Sequence, residues 1–212
     1  MSAEILLVAI GRRPYTEGLG LDKAGIKLTQ SGHIEVDKYC QTSAAGIFAI
    51  GDVTFGSTQL AHAATAQGVT AVENALRPKR KACESIIPSC IFTSPEVGAV
   101  GMTEKKAADA GIEVKVGKFM LAGLGKAMAA GETGGFVKLI ADAKTDQLLG
   151  AVAVGAHATE LISEAATAIR AELTATELGN TVHCHPTFSE AWMEAAHSVH
   201  GECIHGAPKR KK

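Results

Sequence analysis

The sequence predicts an α/β portion over residues 1–80 followed by an α+β domain over residues 83–208, with an antiparallel sheet and helices on one face. Three observations predict it. Residues 5–10 read ILLVAI, a continuous apolar run of the kind buried on both faces inside a parallel sheet, and an alanine-rich helix pattern follows at 60–76. Strand patterns then recur near 88–93, 97–102, 112–120, 135–142 and 147–154 without long helices between them. Helical patterns gather near the end, which is the layout of an α+β domain.

Taken in order, the run 5–10 ends in Gly11-Arg12-Arg13-Pro14. Residues 34–36 and 46–50 read as short strands. Gly68 is the weak point of the 60–76 helix. The basic stretch at 77–81 reads as a solvated linker, as does the basic tail at 209–212. Thr103 is placed to cap a helix over 104–110, and Gly111 to stop it. Leu161, Ile162, Ala165 and Ile169 recur at helical spacing, which predicts an amphipathic helix over 157–171. Thr174 and Glu177 fit a capping box of another short helix. Ser189 or Thr187 caps a last helix running to about 200.

Composition removes several function classes. Apolar residues make up 46% of the 212, enough for a sizeable core, and the net charge of −1 gives no reason to expect nucleic acid or an acidic membrane. No apolar run approaches the roughly 20 residues that span a bilayer, and the start shows no signal-peptide pattern. The five cysteines are scattered, with neither C-x2-C nor C-x4-C among them. That usage predicts free thiols in a reducing compartment.

Three segments carry chemistry. Residues 42–52, TSAAGIFAIGD, put Gly51 where a ligand can approach the backbone closely. Asp52 follows, where it can accept hydrogen bonds from sugar or ribitol hydroxyls. The helix that starts near Leu60, Ala61 and His62 offers free N–H groups and partial positive charge. Residues 181–190 read TVHCHPTFSE. His185 precedes a proline in a turn, and Glu190 opens the next helix. Such a turn can bring the carboxylate back against the imidazole, fix its tautomer and prepare it as a general base.

The string Thr-x4-Ile-Phe-Ala-x-Gly-Asp at 42–52 and the string His-Pro-Thr-x-Ser-Glu at 185–190 together resemble the pyridine nucleotide–disulfide oxidoreductases. Gly11-Arg12-Arg13-Pro14, Phe92-Thr93-Ser94-Pro95-Glu96-Val97 and Val100-Gly101-Met102-Thr103-Glu104 extend the likeness from about residue 6 to about residue 205. Within the family the segment 182–187 looks most like the dihydrolipoamide dehydrogenases. Glutathione and mercuric reductase types are the alternatives.

The resemblance implies a set of roles. Residues 1–14 would be the last strand of an NAD-binding domain, 15–80 the C-terminal part of an FAD-binding domain, and 83–208 the dimerisation domain. Asp52 would bind the flavin's ribityl chain, with Gly51, Leu60, Ala61, His62 and Arg12 beside the cofactor. His185 would be the general base and Glu190 its orienting partner, in a homodimer whose other subunit supplies the redox cysteines. The parent reaction would oxidise dihydrolipoyl groups with FAD and NAD, on a lipoyl-bearing acyltransferase or the glycine cleavage lipoyl protein. Its compartment would be the cytoplasm, or the mitochondrial matrix in a eukaryote, with a part in cell redox homeostasis.

The sequence departs from the family in two respects. It has no G-x-G-x-x-G, since the Gly18/Gly20 and Gly123/Gly125 pairs lack the third glycine, and it has no redox cysteine pair. The expectation is therefore a portion of a longer enzyme that is inactive alone. Two rival readings remain. One is a zinc module built from His183, Cys184, His185, His197, His200, Cys203 and His205. The other is a dimerisation module without chemistry.

Overall fold

The computed structural model describes residues 2–77 and 81–206. The chain divides into two compact units, residues 1–85 and 86–212.

The first unit is held by turns and isolated bridges rather than by a sheet. Leu28 pairs with Ile34, Ile34 with Thr54, Val36 with Thr42 and Gln41 with Phe48. The strands expected at 34–36 and 46–50 are thus reduced to single bridges, and Ile47 and Ile50 stay partly exposed. Residues 5–10 form no strand either. Leu6 is 84% and Ile10 96% exposed, because no described segment runs alongside to complete a ladder. An apolar run specifies a buried strand only when a neighbour accepts its hydrogen bonds.

One helix, α1 (Ala61–Leu76), organises this unit. It buries Ala63, Thr70, Ala71 and Asn74, a stripe at helical spacing. Gly68 does not break it. A Cβ there would press on Ile50 Cδ1, so the glycine lets the 46–50 segment lie close to the helix. Asn74 works as a staple: its amide donates to the carbonyls of Tyr39 (3.1 Å) and Lys81 (2.9 Å), and its carbonyl accepts from Lys81 N–H (2.7 Å). The N–H of Cys83 then bonds the carbonyl of Lys38, and Cys83 is joined to Cys40 as a disulfide. This corrects the expectation of five free thiols. The two cysteines lie 43 residues apart and meet through the Asn74 staple, which spacing does not reveal. Cys90, Cys184 and Cys203 are free. Residues 78–80 of the basic stretch, and the basic tail, lie outside the described residues.

The second unit is a five-stranded antiparallel sheet. Its strands are β1 (Ser89–Ile91), β2 (Glu96–Gly101), β3 (Val114–Met120), β4 (Gly135–Asp142) and β5 (Leu148–Gly155), in the order β1-β2-β5-β4-β3. Its helices are α2 (Glu104–Asp109), α3 (Gly125–Ala130), α4 (Ala158–Arg170), α5 (Ala175–Asn180) and α6 (Glu190–His200). Thr103 caps α2 by accepting from Lys106 N–H, and Thr174 and Glu177 form the capping box of α5. Ser189 stands at the N-cap of α6 but makes no side-chain capping bond. Its hydroxyl meets that of Thr187 at 3.0 Å instead.

The register places Val100, Ala151, Leu139 and Gly117 in one cross-strand row, and Gly98, Ala153, Val137 and Phe119 in the next, on the same face. Both long helices cover that face. A Cβ at Gly98 would collide with the Ala158 carbonyl of α4, and one at Gly117 with the Ala195 carbonyl of α6, so the glycines set how closely the helices approach. Trp192, Leu139, Val137 and Ile162 are fully buried between the layers. Among the described residues, no helix is long and apolar enough to cross a membrane.

Candidate functional site: histidine–carboxylate pairs around the 181–190 turn

The segment between α5 and α6 turns through a cis His185–Pro186 bond and enters α6 at Glu190. Glu190 Oε1 lies 2.8 Å from His185 Nδ1, and its Oε2 accepts from the N–H of Thr187 at 2.8 Å. The Glu190 side chain is 14% exposed, whereas the His185 ring is 73% exposed. Burial opposes ionisation of Glu190, but the Thr187 N–H and the His185 ring outweigh it and hold the carboxyl below the usual carboxylate range. Its place in the first turn of a helix also favours the charge. An ionised carboxylate only accepts, so His185 donates from Nδ1. In the neutral ring the lone pair is then on Nε2, on the exposed side. The arrangement is a fixed carboxylate, an oriented imidazole and an accessible basic nitrogen.

A second pair stands beside it, whose carboxylate partner the sequence does not reveal. His183 Nε2 lies 2.7 Å from Glu164 Oε1 of α4, and its Nδ1 lies 2.8 Å from the Thr181 carbonyl oxygen. The His183 side chain is 5% exposed. The Glu164 carboxylate raises the pKa of this ring above the usual histidine value, against the effect of burial and with help from the Thr181 carbonyl. Helical spacing puts Glu164 next to the buried Ala165, but nothing in the spacing ties it to a histidine 19 residues on.

The remaining histidines and cysteine of the C-terminus separate in the same manner. Glu194, 1% exposed, accepts from Cys203 Sγ (2.9 Å), Ile204 N–H (2.9 Å) and His205 N–H (3.2 Å), and its other oxygen lies 2.6 Å from His205 Nδ1. Burial, followed by the Glu194 carboxylate, pushes the Cys203 thiol up to about 11, which makes it a donor rather than a thiolate. His200 Nε2 lies 3.1 Å from Asp146. The zinc reading is less supported: His183, His185, His200, Cys203 and His205 are parted among four carboxylates, and among the described residues no group of three is placed to hold a metal ion. A cleft of about 790 Å³ on the opposite face of the sheet, beside Met120, Phe136 and Val154, includes neither His185 nor Glu190.

In the first unit, Arg12 Nη1 donates to Asp52 Oδ2 at 2.9 Å, and its Nη2 donates to the Gln59 carbonyl at 3.0 Å. Gly51 has φ +73°, and a Cβ there would stand 3.2 Å from Ala64 of α1. The Gly51 N–H donates to the Gln67 side chain at 2.7 Å. Leu60 provides no side-chain cap to α1, and Ala61 and His62 form its first turn, at the positive end of the helix dipole. These residues fit one side of a flavin: a carboxylate for ribityl hydroxyls and a helix start for a negatively charged ring edge. They do not supply a pyrophosphate cradle.

Comparison with known proteins gives this geometry a context. Residues 87–196 match the family described as pyridine nucleotide-disulphide oxidoreductase, dimerisation domain, and residues 1–68 match the pyridine nucleotide-disulphide oxidoreductase family. The dihydrolipoyl dehydrogenase of Thermus scotoductus is 48% identical over 200 residues, covering 94% of this chain and 43% of that protein. That of Bacillus subtilis is 46% identical over 206 residues, covering 96% and 43%. Among solved structures, LpdA from Mycobacterium tuberculosis superposes with a TM-score of 0.83 at 33% identity, over 88% of this chain and 41% of that one. The HOCl-induced flavoprotein disulfide reductase RclA from Escherichia coli gives 0.81 at 29% identity, over 89% and 43%. The chain thus spans less than half the length of the relatives it matches.

Proposed function

Because the chain belongs to the pyridine nucleotide–disulphide oxidoreductase family, we propose that it supplies the general base and the dimer interface of an FAD-dependent enzyme that oxidises dihydrolipoyl groups with NAD. The observation that carries this reading is the His185–Glu190 contact at 2.8 Å, with the His185 ring open to solvent. Identity of 40–48% to dihydrolipoyl dehydrogenases supports this branch of the family over the glutathione and mercuric reductase types.

In this reading His185 Nε2 accepts the proton of a substrate thiol. The thiolate left behind is the species that attacks a disulfide, which the thiol does poorly. Glu190 keeps the Nδ1 proton in place and balances the charge that forms on the ring. FAD, when bound, supplies the two-electron acceptor, and Asp52, Gly51, Arg12 and the α1 start at Leu60, Ala61 and His62 would hold its ribityl and ring portions. Residues 1–14 would then close the NAD-binding domain, residues 15–80 would complete the FAD-binding domain, and residues 83–208 would pair with a second copy. The partner in turnover would be a lipoyl-bearing acyltransferase or glycine cleavage protein.

The test is a chimera in which this chain replaces the matched stretch of the Bacillus subtilis relative. The expected result is flavin retention and NADH formation from dihydrolipoamide, with His185→Gln lowering kcat by about 10²- to 10⁴-fold, the range for a positioned general base. A chimera that reduces glutathione disulfide but does not oxidise dihydrolipoamide would contradict the assignment.

A further inference from the structure

Two histidines flank Cys184, and they are built differently. His185 has one carboxylate contact, and its ring is 73% exposed. His183 has a partner on each ring nitrogen, and its side chain is 5% exposed. Both of those partners are acceptors: a carboxylate on Nε2 and a peptide carbonyl on Nδ1. A neutral imidazole carries one N–H and would turn a lone pair toward one of them, whereas the doubly protonated ring satisfies both.

We propose that His183 is a positioning residue for His185, held as an imidazolium between Glu164 and the Thr181 carbonyl so that it pins the 181–187 segment to α4. The proposal rests on the reading of His185 as the base. It names a residue that touches no substrate and acts through the turn. The charged groups that face His183 are Glu164 from α4 and Glu190 from α6. The imidazolium therefore acts twice. It anchors the turn through Glu164, and its positive charge favours the ionised form of Glu190, the form that accepts from His185 Nδ1. The frame is closed on the far side, where Trp192 Nε1 of α6 donates to the Leu161 carbonyl of α4 at 2.9 Å. The base thus sits on a turn tied to both helices, the rigid support that a catalytic side chain needs.

The experiment is side-chain ¹⁵N NMR of the histidines in the 212-residue chain. At about pH 7, near the range in which an ordinary histidine loses its proton, His183 is expected to show two protonated ring nitrogens. The neutral form of His185 is expected to be the Nδ1–H tautomer alone. Glu164→Gln is expected to return His183 to a neutral ring at that pH and to make a second His185 tautomer detectable, with Trp192 fluorescence reporting that the domain is folded. A bare nitrogen on His183 in the unsubstituted chain overturns the proposal, as does a folded Glu164→Gln variant whose His185 keeps a single tautomer. Should Glu164→Gln not fold, His183→Gln is read in its place. It keeps a donor toward Glu164 but carries no charge, so a single His185 tautomer there would overturn the role of the imidazolium. If His185 proves not to be the base, the chimera shows it through an active His185→Gln variant, while the His183 signature stands or falls separately.

Discussion

The indole N–H of Trp192 donates to the carbonyl of Leu161 at 2.9 Å, and the Trp192 side chain is fully buried. This one bond ties α6, which opens with Glu190, to α4, which carries Glu164. The two carboxylates that orient the histidines therefore belong to one rigid pair of helices over a glycine-notched sheet.

Trp192→Phe keeps most of the apolar volume but removes the indole bond to the Leu161 carbonyl, which keeps its helical donor inside α4. The expected loss is about 0.5–1.5 kcal/mol of stability, the net worth of one hydrogen bond. Urea unfolding of the second unit measures it, and an unchanged midpoint would remove the bond from the account.

Gly117→Ala places a methyl group against the Ala195 carbonyl and the Val199 side chain of α6. Backbone cannot rotate away as a side chain does, so α6 must move off the sheet. A loss of about 3 kcal/mol or more is expected, at the upper end of overpacking costs, seen as a lowered Tm. A Tm within a degree or so of the parent would mean that α6 docks more loosely than the structure shows.

Glu194 gives the acid limb of stability. Burial opposes its charge, but hydrogen bonds from Cys203, His205 and Ile204 hold its carboxyl below the usual carboxylate range. A carboxyl with a depressed folded pKa contributes stability that is present above the unfolded value and is lost as pH falls through the folded one. Glu194→Gln is thus expected to destabilise the domain at neutral pH, by about 1.5–3 kcal/mol for hydrogen bonds to a charged group. The gap from the parent should narrow in acid. Denaturation of both proteins at the two pH values checks it, and a gap that widens in acid would contradict the assignment.

His183 gives the opposite limb. Its folded pKa is raised above the usual histidine value, with the Glu164 hydrogen bond as the largest cause. The stability it contributes is fully present below about 6.5 and is lost as pH rises through the folded value. The parent should therefore lose stability across that rise, and Glu164→Gln should flatten the dependence. Thermal melts across neutral to alkaline pH measure both slopes, and parallel slopes would contradict the ion pair.

Much of the second unit was legible in the sequence because each device is local. The Thr174–Glu177 capping box, the Thr103 cap and the spacing of Leu161, Ile162, Ala165 and Ile169 depend on residues a turn or two apart. The His185–Glu190 contact was legible for the same reason, since five residues of turn and helix start span it. The sequence did not reveal the pairs that close over long distance. Glu164 reaches His183 from another helix, Glu194 gathers residues 203–205 from beyond the end of α6, and Cys40 meets Cys83 only through the Asn74 staple. Residues 5–10 show the converse. Their apolar pattern is strong, yet pattern alone does not make a strand without a neighbour to pair with.

The most direct test of the central claim, that His185 oriented by Glu190 is the base of a dithiol-oxidising flavoenzyme, is the stopped-flow rate of flavin reduction by dihydrolipoamide in the chimera, measured across pH. His185→Gln is expected to slow this step by about 10²- to 10⁴-fold and to abolish the limb on which the base must be deprotonated, with Glu190→Gln slowing it by a smaller factor. Flavin reduction at the parent rate in His185→Gln, with the same pH limb, would contradict it.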